Sequence, residues 1–278
     1  NYRIANIINL MKTFIKIAWR NVWRNKYRSI VTLLGISFGL AALIFIRTFI
    51  DGADYQMVEN YTDILSGHIQ IHKKGFQRKM SLDLSIEAPR KIENILNNNG
   101  AVKSFSPRIK DYALISSSEN SSGILLVGID PIREPEVTKL DKKIRKGRFL
   151  SPKDNNKIII GKDLADNLNV GLSDKVVIMT QGYDGSMAAS AYRICGILDS
   201  GAEEIDKGIA LITLKAAQEL LVMNNKISEI VVRTSSISNI DEITGTIKSA
   251  LGLGGYEVLS WKEISPVAVQ WLEFDRAF

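Results

Sequence analysis

Residues Ser29–Ile46 read SIVTLLGISFGLAALIFI, eighteen positions without a charge. As a helix rising about 1.5 Å per residue the stretch is about 27 Å long, and about 33 Å if it runs on to Ile50, against a hydrocarbon core of ~30 Å. A helix buried in a soluble core seldom runs this far without a polar face. A cleaved signal peptide has a shorter apolar region behind a short basic one and a small-residue cleavage site ahead. Here 28 residues precede the apolar run and RTFIDGADY follows it. Residues 29–50 are therefore expected to stay in a membrane as a span.

The charge distribution orients that span. The chain has 278 residues and a net charge of +6, but residues 1–28 carry seven basic side chains and no acid. With Arg47 set aside as well, 28 basic residues remain against all 30 acids, so the bulk of the chain is nearly neutral. That leaves no basic face for nucleic acid, and it predicts a cytoplasmic N-terminus with everything after residue 51 exported. Arg47 can lift its guanidinium to the opposite headgroups. One cysteine and two histidines leave little for a disulfide framework, a zinc site or a His-dependent triad.

Upstream of the span, Lys12, Lys16, Arg20, Arg24 and Arg28 recur every four residues, and Trp19, Trp23 and Tyr27 do the same one step earlier. On a helix this is a cationic stripe beside an aromatic one, suited to the headgroup layer of the cytoplasmic leaflet. Within the span, Gly35 and Gly39 form a G-x-x-x-G pair flanked by Ser37 and Ala41, a face that admits another helix closely.

Downstream, the helix is expected to continue through DGADYQMVENYTDIL until Gly67. GHIQIHKK then alternates like a strand, with Ile69 and Ile71 on one face and His68, Gln70 and His72 on the other. Glu87–Asn98 reads as a helix, and Val102–Ser117 and Gly123–Ile129 as strands. A similar set closes the chain: strand Glu229–Arg233, helix Ile240–Leu251, strand Tyr256–Leu259. These two sets are expected to pair as one split βαβ sheet. The middle, Lys146–Leu221, reads as a β-rich insertion with GYDGSMAAS as a mobile hairpin tip. The fold class is α+β, with ranges 1–28 (cytoplasmic helix), 29–50 (span), 51–130 and 223–262 (the two halves of the split subdomain), 131–222 (insertion) and 263–278 (approach to a second span).

There is no G-x-x-x-x-G-K-[ST], no H-E-x-x-H and no G-x-S-x-G elbow after a strand, the GISFG of residues 35–39 lying inside the apolar run, so neither a nucleotide loop nor a hydrolase site is encoded by these motifs. Glu203 and Glu204 read as solvated acids in a loop, and Cys195, between Ile194 and Gly196, as a small buried hydrophobe. No cofactor or metal is expected.

MKTFIKIAWRNVWRNKYRSIVTLLGISFGLAALIFI (11–46) resembles the opening of the MacB/FtsX-like ABC transporter permeases, and LSGHIQIHKKGF (65–76) is similar to the start of the exported domain in their lipoprotein-releasing, Lol-type branch. KGRFL (146–150), IIIGKDLADNLNVGLSDKVVI (158–178) and YRICGIL (192–198) resemble the core-domain signature, carried here by Gly147, Phe149, Gly161, Ala165, Leu168, Gly171 and Gly196, the last closing a strand. The likeness covers nearly all of 12–265. It implies a bacterial inner-membrane permease with a periplasmic core domain, a porter-like βαβ subdomain and a β-rich one. It also implies four spans, a second permease chain, a separate cytoplasmic ATPase and a periplasmic carrier or adaptor. Release of lipoproteins is the favoured activity. A macrolide or peptide exporter of the same family and a single-pass sensor with an exported ligand-binding domain are the alternatives. The sequence starts ten residues before Met11 and stops at SWKEISPVAVQWLEFDRAF, so it is expected to be a fragment.

Overall fold

The computed structural model describes residues 2–252, 255–266 and 269–270. Asn1 and most of the expected approach to a second span lie outside the described residues. The chain divides into two compact units, Asn1–Gln56 and Met57–Phe278.

The first unit is helical. Helix α1 (Tyr2–Arg24) is followed by α2 (Lys26–Tyr61), whose Lys26–Ile50 portion is long and apolar enough to cross a membrane and has no part of its apolar window buried. The break falls at Asn25, whose carbonyl accepts the Ser29 N–H at 3.0 Å while the Ser29 hydroxyl donates to Val22 O at 3.2 Å. The stripe expected to run unbroken to residue 28 is thus divided, with Tyr27 and Arg28 on the second helix. A turn at Asn25 satisfies backbone groups that would otherwise be left open at two helix ends.

The second unit opens with a π-helical turn, Thr62–Ser66, that continues directly from α2. Then follow β1 (Ile69–Lys73), α3 (Phe76–Lys79), α4 (Pro89–Asn97), β2 (Val102–Ser116) and β3 (Ser121–Ile129). Next come α5 (Glu134–Val137), a 3₁₀ turn at Leu140–Lys143, β4 (Ile144–Gly147), β5 (Lys157–Gly161), α6 (Lys162–Asn167), β6 (Lys175–Gln181) and β7 (Met187–Leu198). The remaining elements named among the described residues are α7 (Glu203–Gly208), β8 (Ile209–Thr213), α8 (Leu214–Leu220), β9 (Glu229–Thr234), α9 (Ile240–Leu251), β10 (Tyr256–Ser260) and α10 (Trp261–Ile264).

The ten strands among the described residues belong to one sheet, in the order β10-β1-β9-β2-β3-β8-β5-β7-β4, with β6 joining β2 to β7. That last pairing closes a ring of six strands, β2-β3-β8-β5-β7-β6. The four-stranded wing β10-β1-β9-β2 is left to one side. In the wing, β1-α4-β2 and β9-α9-β10 are two βαβ units interleaved through antiparallel pairs such as Ile71↔Ile230 and Ile71↔Val258. β2 serves both parts: Val102–Arg108 pairs with β9 and Leu114–Ser116 with β6. The ring is therefore completed by β2 and β3 from outside 131–222.

β5 (KIIIG) and β8 (IALIT) read as nearly unbroken apolar runs because both their faces are covered, whereas β6 and β7 alternate between buried and exposed positions. Ile158, Ile160, Ala210, Ile212, Ile178 and Ile194 alternate into the main core, and Ile159, Ile209, Leu211, Val127, Ile129 and Leu198 into a second cluster on the outer wall. Leu164, Ala165 and Leu168, on and just after α6, join the main core together with Ala216 and Ala217 of α8. In the wing, Ile69, Ile71, Ile230 and Val232 pack with Ile92 and Leu96 of α4 and Ile240 and Ile247 of α9.

Three local expectations change. Glu203 and Glu204 form the exposed first turn of α7, where acids face a helix's positive end, instead of a loop. Gly196 lies within β7 and does not close it. Cys195 is half-buried, its thiol 3.4 Å from Ile158 O and pushed above its usual range by burial.

Candidate functional site

No group of three or more His, Cys, Asp or Glu able to hold a metal occurs among the described residues. What stands out is polar burial in the wing, at the turn Thr62–Ser66 and on the sheet face away from α4 and α9.

Gly67 ends the turn with φ +59, a left-handed conformation that glycine adopts without strain. A Cβ there would also stand 2.3 Å from Val231 Cγ1, so only glycine lets the turn lie directly on β9. The Gly67 N–H bonds Thr62 O at 3.0 Å and the His68 N–H bonds Val232 O at 2.9 Å. Asp63, 3% exposed, receives Arg233 Nη1 of β9 at 2.7 Å on Oδ1 and Lys139 Nζ at 2.5 Å on Oδ2. Its carbonyl accepts the Lys139 N–H at 2.6 Å. Ile64 packs into the outer-wall cluster of the ring. The Trp261 backbone N–H, on α10, bonds His68 O at 3.0 Å, so the turn Thr62–Ser66 and α10 meet at the start of β1.

Deeper in the wing, strand alternation places Ser106, Arg108 and Lys110 on one face of β2, and the register sets Arg108 opposite Glu229 of β9. Arg108 forks onto Glu134 of α5, with Nε on Oε2 at 3.1 Å and Nη2 on Oε1. Arg108 Nη1 lies 3.5 Å from Glu229 Oε1, which Lys110 Nζ approaches to 2.9 Å. The Ser106 and Thr138 hydroxyls each donate to Glu134 at 2.8 Å. Burial opposes the Glu229 charge, yet the Lys110 and Arg108 cations hold its carboxyl below the usual range. Burial likewise opposes the Arg108 charge, and Glu134 and Glu229 hold it above. At the far edge His72 Nδ1 is 3.5 Å from Glu257 Oε1; burial pushes this imidazole below its usual range although Glu229 pulls it upward.

Two buried cations face two buried carboxylates, so the charges balance, and none of these groups has the partners of an activated nucleophile. The arrangement holds β2, β9 and α5 in one register. Reading the sequence for motifs passed over Asp63, Arg108, Lys110, Glu134, Glu229 and Arg233. The available signal was local: in SPRIKDYALI two cations sit at i and i+2, on one face of a strand, and EIVVR begins and ends on opposite charges.

The positions singled out by sequence fall in three places. Lys16, Trp19, Arg20, Trp23 and Arg24 lie exposed on α1, with the two indoles 6.2 Å apart between ring centroids, and Tyr27 and Arg28 lie exposed at the start of α2. Gly35, Ser37, Gly39 and Ala41 share α2, and nothing comes within 4 Å of a Cβ built on either glycine. The signature residues gather around the ring. Gly147 has φ +82 and a Cβ on it would meet Cys195 O at 2.2 Å; one on Gly161 would meet Asp206 O at 2.1 Å, and one on Gly196 would meet Arg148 O at 2.5 Å. Ala165 and Leu168 are buried, and Phe149 is half-buried against the outer cluster. Gly171 is open, its N–H donating to Asp174 Oδ2 at 2.7 Å. His68 and His72 lie on one wing face but reach separate partners, His68 Nδ1 meeting Thr234 Oγ1 at 2.8 Å.

The chain is 25% identical over 206 residues to the lipoprotein-releasing system transmembrane protein LolC of Xylella fastidiosa strain Temecula1, covering 70% of this chain and 46% of LolC. It is 28% identical over 174 residues to LolC of Buchnera aphidicola, covering 59% and 39%. The chain thus spans about half the length, or less, of these relatives. Among solved structures, the periplasmic region of MacB from Actinobacillus actinomycetemcomitans aligns with 78% of this chain and 98% of that one at TM-score 0.49 and 16% identity. The extracellular domain of the noncanonic ABC-type transporter YknZ from Gram-positive bacteria aligns with 70% and 100% at TM-score 0.47 and 17% identity. The MacB-like periplasmic core domain family matches residues 29–250, from the apolar helix through nearly all of α9, and to that family the chain belongs.

Proposed function

We propose that the chain is part of a permease subunit of an ABC transporter in a bacterial inner membrane. In this reading residues 1–28 lie on the cytoplasmic leaflet, 29–50 span the bilayer, and the unit after residue 51 stands in the periplasm. The porter-like subdomain is made of 51–130 and 223–262, with 131–222 inserted, and 263–278 leads to a second span. A separate cytoplasmic ATPase supplies the energy, a second permease chain completes the pore unit, and lipoproteins are released to a periplasmic carrier. The observation that carries the reading is the core-domain match starting inside an apolar, unburied helix of spanning length. The likeness to LolC supports lipoprotein as cargo. Gly35, Ser37, Gly39 and Ala41 supply a small-residue face for a neighbouring span.

The test is reconstitution of the full-length gene product with its ATPase in proteoliposomes carrying a labelled triacylated lipoprotein. ATP-dependent transfer to an added periplasmic carrier is expected; hydrolysis without transfer rules out the cargo, and no association with an ATPase rules out the permease. Gly35→Leu with Gly39→Leu is expected to reduce recovery of the assembled complex on pull-down more than Leu33→Ala does.

A further inference from the structure

We propose that Asp63 is a positioning residue that ties wing and ring together where the chain passes from the apolar helix into the folded unit. The proposal rests on the permease reading and adds the residue through which movement is handed on. Exposed ion pairs contribute little and are common. Asp63 differs from them in three ways. It is buried, its two oxygens engage cations from two different parts of the fold, and it lies on the turn that continues α2 without an intervening residue.

Arg233 belongs to β9 of the wing and also donates to Val137 O at 3.0 Å. Lys139 leads into the 3₁₀ turn whose Leu140 packs on the outer wall of the ring. Ile64, the next residue, joins Leu140, Leu150, Ile159 and Leu198 in that same wall. Gly67 then seats the turn on β9 with no side chain between. Removing the Asp63 carboxylate takes an ion-pair partner from both cations, and the cost falls mainly on Arg233, the less exposed of the two. A displacement of the turn therefore reaches wing and ring together instead of bending one against the other. Turns of the π type are frequent at functional sites because the extra residue is poorly bonded and persists only where it serves a purpose.

The test uses the full-length protein with its ATPase in lipid nanodiscs and proteoliposomes, comparing wild type, Asp63→Asn, Asp63→Glu and Lys139→Met. In Asp63→Asn, amide hydrogen exchange is expected to quicken about tenfold at both 134–140 and 229–234 while β5 and β8 keep their protection. Lipoprotein released per ATP hydrolysed should fall about fivefold or more with hydrolysis held within about twofold, and Asp63→Glu should restore most of it. A merely structural role would lower release and hydrolysis together, and that result, or unchanged exchange at either segment, overturns the proposal. If Asp63→Asn does not fold, Lys139→Met decides: quickened exchange at 134–140 with reduced release per ATP supports the tie, and wild-type behaviour refutes it. If wild type hydrolyses ATP but releases no lipoprotein, the functional reading fails, and the exchange data alone judge the tie.

Discussion

In the wall of the ring built by β3, β8 and β5 both faces of the sheet are aliphatic, with Ile158 and Ile160 turned inward and Ile159 outward. In the wing only the face under α4 and α9 is; the other carries His68, Gln70, His72, Arg108, Lys110 and Glu229, all buried. Burial of apolar area is non-directional and tolerates small shifts, whereas a buried ion pair stabilises only in one geometry and is costly when half of it is missing. The ring is thus built to stay closed, and the wing to hold one register, under narrower chemical conditions.

The largest expected effect breaks the wing. Arg108→Ala leaves Glu134 and part of Glu229 buried without their cation and should destabilise the folded unit by about 3–5 kcal/mol in urea unfolding. Arg108→Met combined with Glu134→Leu should recover much of that loss, since removing both partners is far less costly than removing one. Without such recovery, the network contributes more than balanced charge. A somewhat smaller effect is expected in the ring, where Leu211→Ala should cost about 2–4 kcal/mol through lost packing and the cavity left behind. That cost should be the same at pH 5 and pH 8. A pH-dependent cost would mean the two regions are coupled through the sheet.

The smallest effect sharpens the contrast by titration. The folded-state pKa of His72 lies below its unfolded value, so the unfolded chain binds the extra proton, and stability falls as pH drops below about 6.5. The Glu229 carboxyl is also held below its usual range, so its contribution is present above about pH 4.3 and is lost as pH falls through the folded value. Both steps weaken the protein on acidification. Unfolding free energy measured from pH 8 to pH 5 should decline in wild type and decline less in His72→Gln. An equal slope in the variant would assign the step to another group.

These contrasts were unevenly legible in the sequence. IIIG and IALIT announce buried strands by their apolar runs, Ile243, Ile247 and Leu251 announce α9 by their spacing, and Ser29–Ile46 announces a spanning helix by length and lack of charge. Closure of the ring is not readable, because Leu114↔Met179 is a long-range pairing that no local pattern encodes. The charged core of the wing was missed for a related reason. Arg108 and Glu229 look like ordinary surface residues until β2 and β9 are set side by side. Asp63 sits in DGADYQMVENYTDIL among acids that look alike, and only the fold separates it from them.

The order of the wing strands also bears on how the protein is made. β1 lies between β9 and β10, which begin at Glu229 and Tyr256, so neither neighbour exists when β1 leaves the ribosome. At 5–20 residues per second it waits about 8–32 s with both edges open, until β9 arrives, and unpaired strand edges of that kind invite association with other chains. The ring needs only β2 through β8, so it can close while the wing is still incomplete. Biogenesis would then leave a finished barrel beside a bare strand, and a newly made chain would depend on whatever shields that strand until its last strands arrive.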